Sequence, residues 1–135
     1  MEHAKLNEFA SRYADAWCSR NAASVAAFFG CNGSLRINGG IPAVGRTAIA
    51  AAAQEFITTF PDMAVKLDRL DIEGERIRFH WTLTGTNTGP GGTGKRVHVS
   101  GYEEWRIGAD GLIAESSGHY DAAEYERQLK HGLPG

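Results

Sequence analysis

Only two of the 135 residues are cysteine, Cys18 and Cys31, and they form no CxxC pair. That excludes a disulfide-stapled scaffold and a cysteine zinc site, and both thiols are expected to be free and buried. Basic charge is scarce too. Fourteen Lys and Arg stand against sixteen Asp and Glu, a formal net charge of −2, with no basic run. A nucleic-acid partner is therefore excluded. No apolar run approaches the roughly 18 residues of a membrane span. The charged start, MEHAKLNEFASRYADAW, lacks the apolar core of a signal peptide, so a cytoplasmic location is expected. The histidines show neither HxxxH nor HExxH spacing, and no metal ligand set is expected. Gly89 to Lys95 has the G-x-x-x-x-G-K spacing of a phosphate loop, but Arg96 follows where Ser or Thr is needed. Strand patterns flank it on both sides, so nucleotide binding is excluded.

What remains is a globular composition, 42% hydrophobic and 22% charged. The length suits one domain over residues 1–135 with a single core. Leu6, Phe9, Ala10, Tyr13 and Trp17 make one helix stripe over about residues 3 to 19. Asn21 can cap a short second helix carrying Val25, Phe28 and Phe29, ended by Gly30, Asn32 and Gly33. A short strand over Ser34 to Asn38 precedes a third helix, from about Thr47 to Phe60, which Pro61-Asp62 stops. Alternation then predicts strands: Met63 to Ile72 with a possible change of phase, Ile77 to Leu83, Val97 to Ile107, and one after the Ala109-Asp110-Gly111 turn. Asp121 to His131 reads as a last, short helix. Three helices followed by a four-stranded antiparallel meander argue for an α+β fold.

The strand Val97–Ile107 carries an anomaly. Its apolar face, Val97, Val99, Gly101, Glu103, Trp105 and Ile107, includes an acid. An unpaired buried carboxylate is costly, so Glu103 either finds a partner or keeps its proton. A connection centred near Gly91 sets Phe79 opposite Glu103, Ile77 opposite Trp105, Leu83 opposite Val99 and Arg78 opposite Glu104. A three-residue loop with Gly111 left-handed puts Ile113, Glu115, Ser117, His119 and Asp121 on the Glu103 face. A four-residue loop would put Ser116, Gly118 and Tyr120 there instead, since a one-residue slip flips every side chain.

These residues carry a resemblance. His80 to Ser116, and in it the run Thr93-Gly94-Lys95-Arg96-Val97-His98-Val99-Ser100-Gly101, is similar to the SnoaL-like polyketide and ester cyclases. Tyr120-Asp121 and the later Glu126-Arg127-Gln128-Leu129 resemble that family's acidic residue and following helix. The stretch SRYADAWCSRNAASVAAFFG and the helix entry Gly45 to Ile49 resemble ketosteroid isomerases of the same nuclear-transport-factor-like superfamily. The resemblance implies a curved antiparallel sheet wrapped by the three N-terminal helices around an apolar pocket. It also implies a small apolar ligand and a homodimer through the outer sheet face. The Gly-rich loop becomes a wide, mobile connection beside the pocket mouth.

Carried over by residue, the resemblance makes Asp121 the acid–base carboxylate, Glu103 a protonated acid and Tyr13 an oxyanion donor. His119, two residues before Asp121, is placed to join the proton transfer. Trp17, Asn38, Phe56, Phe60, Phe79, Trp81 and Trp105 are the expected substrate contacts. The isomerase base should fall near Arg36 to Asn38, where no carboxylate stands. Structural readings remain open beside these: Asp121 as the cap of the last helix, in a capping box with Glu124, and Tyr13 as core packing. Three functions follow. The first is a cofactor-independent cyclase or isomerase acting on a carbonyl-bearing apolar molecule. The second is a non-catalytic ligand-binding or scaffold module. The third is a hydrolase, for which Arg36 would have to supply the positive partner.

Overall fold

A computed structural model describes residues 2–133. Helix α1 spans His3–Cys18 and buries Leu6, Phe9, Ala10, Tyr13 and Trp17, the stripe set by helical spacing. Helix α2 is one short piece, Ala22–Ala26, and Asn21 caps it by accepting the Ser24 N–H at 3.2 Å. Helix α3, Arg46–Thr59, buries Ile49, Ala53 and Ile57. Helix α4, Ala122–His131, closes the described chain. Among the described residues no helix is long and apolar enough to cross a membrane.

Six strands lie between them: β1 Phe29–Ile37, β2 Ala43–Val44, β3 Ala64–Glu73, β4 Arg76–Thr86, β5 Arg96–Ile107 and β6 Ile113–Tyr120. They form one curved, open sheet in the order β2-β1-β6-β5-β4-β3. Every neighbouring pair is antiparallel except β1 with β6, which is parallel. The fold is α+β, with the N-terminal helices on one sheet face and a short C-terminal helix. Trp105, Tyr13, Phe29, Phe60 and Phe79 are the largest fully buried side chains between these layers. Each such burial contributes on the order of 1.5–3 kcal/mol.

The expected β4–β5 register holds: Ile77, Phe79 and Leu83 sit opposite Trp105, Glu103 and Val99, and Arg78 opposite Glu104. The phase change in β3 is a bulge at Asp68, between the pairs Leu67–Trp81 and Arg69–His80. The end of the second helix is corrected. Helix α2 stops at Ala26, and Phe29, Gly30, Asn32 and Gly33 enter β1, where Phe29 is completely buried. The thiols are corrected too, since Cys31 is exposed and Cys18 half-buried against the Val65 carbonyl. The Gly-rich loop is stitched down rather than free. Asp62 accepts from the Thr86 N–H, Gly89 N–H donates to the Thr59 carbonyl, and Thr93 donates to that of Leu129.

The β5–β6 hairpin decides the site. Its loop is the expected one: Gly111 has φ +77°, Gly108 N–H donates to the Leu112 carbonyl, and Ile107 pairs with Ile113. A bulge at Ala114 follows at once, because Arg106 pairs with Glu115. That extra residue turns the rest of β6 over. Trp105 therefore lies opposite Ser116, Glu103 opposite Gly118 and Gly101 opposite Tyr120. Glu115, Ser117 and His119 face outward, and the expectation that they share the Glu103 face is overturned.

Candidate functional site

The concave face of the sheet, α1, α3 and α4 enclose a pocket with an apolar lining from Leu35, Ile37, Val65, Leu83 and Val99. Its cavity volume is about 70 Å³. That is well below the ~300–1,000 Å³ of a drug-sized site. The wall is a continuous chain of rings. Trp17 meets Phe56 at 6.3 Å between centroids, Phe56 meets Tyr125 at 6.4 Å, Tyr125 meets Tyr120 at 5.4 Å, and Tyr120 meets Trp81 at 6.1 Å. Most of these contacts are edge-to-face, the geometry that aromatic quadrupoles favour. Gly101 makes room for Trp81, since a Cβ there would lie 2.7 Å from Trp81 Cζ2 and 2.3 Å from the His119 carbonyl oxygen.

Glu103 lies in this lining and is only 7% exposed. Three neutral groups donate to it. Ser116 Oγ reaches Oε1 at 2.7 Å and Trp105 Nε1 reaches the same oxygen at 3.1 Å. The Tyr13 hydroxyl bridges the carboxyl, 3.0 Å from Oε1 and 3.2 Å from Oε2. Oε1 is thus saturated, and Oε2 has one long contact. Burial pushes the Glu103 carboxyl above the usual carboxylate range, although its three donors pull the other way. Burial and the nearby carboxyl push the Tyr13 phenol well up. An acid that holds its proton at one oxygen, with donors fixed on the other, can give and retake that proton.

The other candidate residues divide. Trp17, Phe56, Phe79 and Trp81 line the pocket. Trp105 and Phe60 are fully buried outside the lining, Trp105 acting instead as a donor to Glu103. Asn38 is exposed, with φ +49°, and its Oδ1 accepts the Tyr120 N–H at 2.9 Å, so it pins β6 instead of reaching a ligand. Asp121 is exposed outside the lining and caps α4, accepting the Glu124 N–H at 3.0 Å. His119 lies on the convex face beside Tyr102, with ring centroids 4.9 Å apart. Arg36 is exposed and donates to the Gly40 carbonyl, away from the pocket. The structure therefore joins Glu103 to Tyr13 and leaves Asp121 and His119 apart from them.

A family model for the SnoaL-like polyketide cyclases matches residues 7–129. The chain belongs to that family. Solved structures resemble this SnoaL-like protein along nearly its whole length. One is a hypothetical protein with a ketosteroid isomerase-like fold from Catenulispora acidiphila DSM 44928, in complex with trimethylamine. It is 18% identical, with a TM-score of 0.80 over 94% of each chain. TsrD from Streptomyces laurentii is 21% identical, with a TM-score of 0.81 over 98% of this chain and 99% of that one. SalBIII, an epoxide hydrolase/cyclase-like enzyme in pyran ring formation in the polyether salinomycin, is 14% identical, with a TM-score of 0.78 over 91% and 95%. At these identities the likeness establishes the fold. No curated protein matches the chain in sequence.

Three residues of the candidate site stand outside the expected set: Ser116 and Tyr120, which only the alternative four-residue loop would have brought to the Glu103 face, and Tyr125. A signal for the first two was present. Glu115, Ser117 and His119 are more polar than Ser116, Gly118 and Tyr120, so the second set suits the concave face. Tyr125 lies on α4, and which side of that helix faces the sheet depends on how the chain leaves β6.

Proposed function

We propose that this SnoaL-like protein is an enzyme that moves a proton on a small, largely apolar, carbonyl-bearing molecule, with Glu103 as the group that gives and takes the proton. The observation that carries this reading is the buried Glu103 carboxyl with Ser116, Trp105 and Tyr13 all donating to Oε1. A proton taken from the carbon beside a carbonyl and returned elsewhere gives an isomerisation or a ring closure, and neither calls for a cofactor. Ser116 and Trp105 hold the carboxyl in place, and Tyr13 shares its hydrogen bond between the oxygens. Asp121 acts as a helix cap in this reading. The small cavity favours a substrate of few heavy atoms. A homodimer through the convex face belongs to the same reading. It is supported by the half-buried row of His80, Tyr102 and His119 across β4, β5 and β6.

The test is deuterium exchange beside the carbonyl of small cyclic ketones in D2O, followed by NMR. The parent protein should accelerate exchange. Glu103→Gln should lose about 100- to 10,000-fold of that acceleration. Asp121→Asn should keep it. Full activity in Glu103→Gln, or loss confined to Asp121→Asn, would overturn the assignment.

A further inference from the structure

Glu103 is the only acidic or basic side chain among the buried residues described. The described ion pairs, Arg69–Asp71, Arg78–Glu104, His80–Asp71, Arg106–Glu115 and Arg127–Glu124, all lie elsewhere. Its own partners, Tyr13, Trp105 and Ser116, are neutral donors. The charge of an ionised Glu103 therefore has no balancing cation within the described protein. Two things can balance it: a proton, or a positive group inside the cavity that Glu103 lines.

The wall of that cavity favours a particular kind of cation. The rings of Trp17, Phe56, Tyr125, Tyr120 and Trp81 follow one another from α1, α3, α4, β6 and β4. Aromatic faces attract cations, most strongly where water is excluded. A calcium or magnesium ion needs six or more oxygen ligands or its own water, and a single carboxylate in an apolar pocket offers neither. An alkylammonium ion spreads its charge over apolar methyl groups, which gain from burial against the rings. The cavity of about 70 Å³ limits it to a few heavy atoms.

We propose that the pocket is an aromatic cage for a small quaternary or protonated tertiary alkylammonium ion, with the Glu103 carboxylate as its counter-charge. This goes beyond the proton-transfer reading, because holding a cation requires no chemistry. The ionised carboxylate is the binding form, so affinity falls as Glu103 is protonated. The groups facing Glu103 are Tyr13 from α1, Trp105 from its own strand and Ser116 from β6. The titratable wall groups are Tyr120 and Tyr125, whose phenols burial pushes up, the second to about 12. Glu126 on α4, whose charge also raises both phenols, lies outside the lining, so Glu103 is the acidic group of the cavity itself.

The experiment compares tetramethylammonium chloride with tert-butanol, a neutral molecule of nearly the same shape. Tryptophan fluorescence and calorimetry on the full chain supply the readout, with ionic strength held constant by sodium chloride. Tetramethylammonium should bind saturably and at least roughly tenfold more tightly than tert-butanol. Its affinity should fall on acidification while that of tert-butanol stays level. Glu103→Gln should remove the preference for the cation. Trp81→Leu, which keeps Glu103, should weaken the cation roughly tenfold and provides a test if the first variant fails to fold. Equal binding of both probes, no binding of either, or tighter cation binding at low pH would overturn the proposal. Ketone exchange without cation preference would sink this inference alone. Cation binding without exchange would sink the enzyme reading alone.

Discussion

Replacing Tyr13 by Phe removes one hydroxyl from the centre of the site and little else. The ring is fully buried and meets Trp105 at 5.2 Å, Phe79 at 5.3 Å and Phe28 at 5.5 Å between centroids. Phenylalanine keeps all of these edge contacts. The hydroxyl, however, makes the only described hydrogen bond to Glu103 Oε2 and one of three to Oε1. A hydrogen bond between neutral groups contributes about 0.5–1.5 kcal/mol, and one to a charged group about 1.5–3 kcal/mol. The cost of Tyr13→Phe therefore depends on whether Glu103 carries its proton. It should be about 1 kcal/mol where the carboxyl is neutral and about 2 kcal/mol where it is ionised.

The direction with pH follows from linkage. The folded protein holds the Glu103 proton more tightly than the unfolded chain does, because burial raises its pKa. The stability this confers is fully present at and below the ordinary carboxylate range, and it is lost as pH rises through the raised pKa. Removing the Tyr13 donor raises that pKa further, so the variant should lose more on the alkaline side. Urea unfolding followed by tryptophan fluorescence, run in pH steps from the ordinary carboxylate range upward, measures both ends. Glu124, lowered to about 2 by Arg127 and Gln128, and Asp62, lowered by its bonds from Thr86, release their stability only at more acid pH. The midpoint shift between Tyr13→Phe and the parent should be about 1 M urea at the alkaline end and about half that at the acid end. Glu103→Gln is the control, in which the shift should no longer depend on pH. An equal shift at both ends would refute the reasoning, and so would a larger one at low pH.

Two further substitutions separate support from chemistry. Asp121→Ala should cost about 1 kcal/mol through loss of the α4 cap, and Asp121→Asn a small fraction of that, both measured by urea unfolding. Equal losses in the two variants would mean that the carboxylate charge, not the cap, is what matters there. Gly101→Ala should destabilise by about 1–3 kcal/mol and perturb the Trp81 indole signal in NMR, because its methyl group would press on the His119 carbonyl and the indole ring. An unshifted indole signal would show that the sheet, not Trp81, yields.

Local patterns carried the parts of the fold that local physics controls. The stripe from Leu6 to Trp17 specifies α1, and the alternation from Ile77 to Leu83 against Val97 to Ile107 sets a register in which Phe79 faces Glu103. Glu103 was visible as an acid on an apolar face before any partner was known. What remained hidden depends on pairing far along the chain. Phe29 to Gly33 looks like a helix end because Gly and Asn are strong stop signals, yet the same small residues let β1 run close beside β6. The nearest backbone there, the Ile113 carbonyl oxygen, would lie 2.9 Å from a Cβ at Gly33.

The site itself turned on one residue with no signal of its own. Ala114 is as ordinary in a strand as in a bulge, and only the greater polarity of Glu115, Ser117 and His119 beside Ser116, Gly118 and Tyr120 marks the turned face. Without the bulge, the Ile107–Ile113 pairing would carry Ser117, His119 and then Asp121 onto the Glu103 face, and a cluster of acids and a histidine would result. With it, Ser116 meets Glu103 Oε1, Tyr120 joins the aromatic wall and Asp121 starts a helix. The difference is one of kind. A clustered set would divide acid and base between separate groups, whereas a lone buried acid held by neutral donors must meet its charge balance with a proton or with its ligand. On the proposed reading, whatever occupies this pocket is therefore coupled to the ionisation of Glu103.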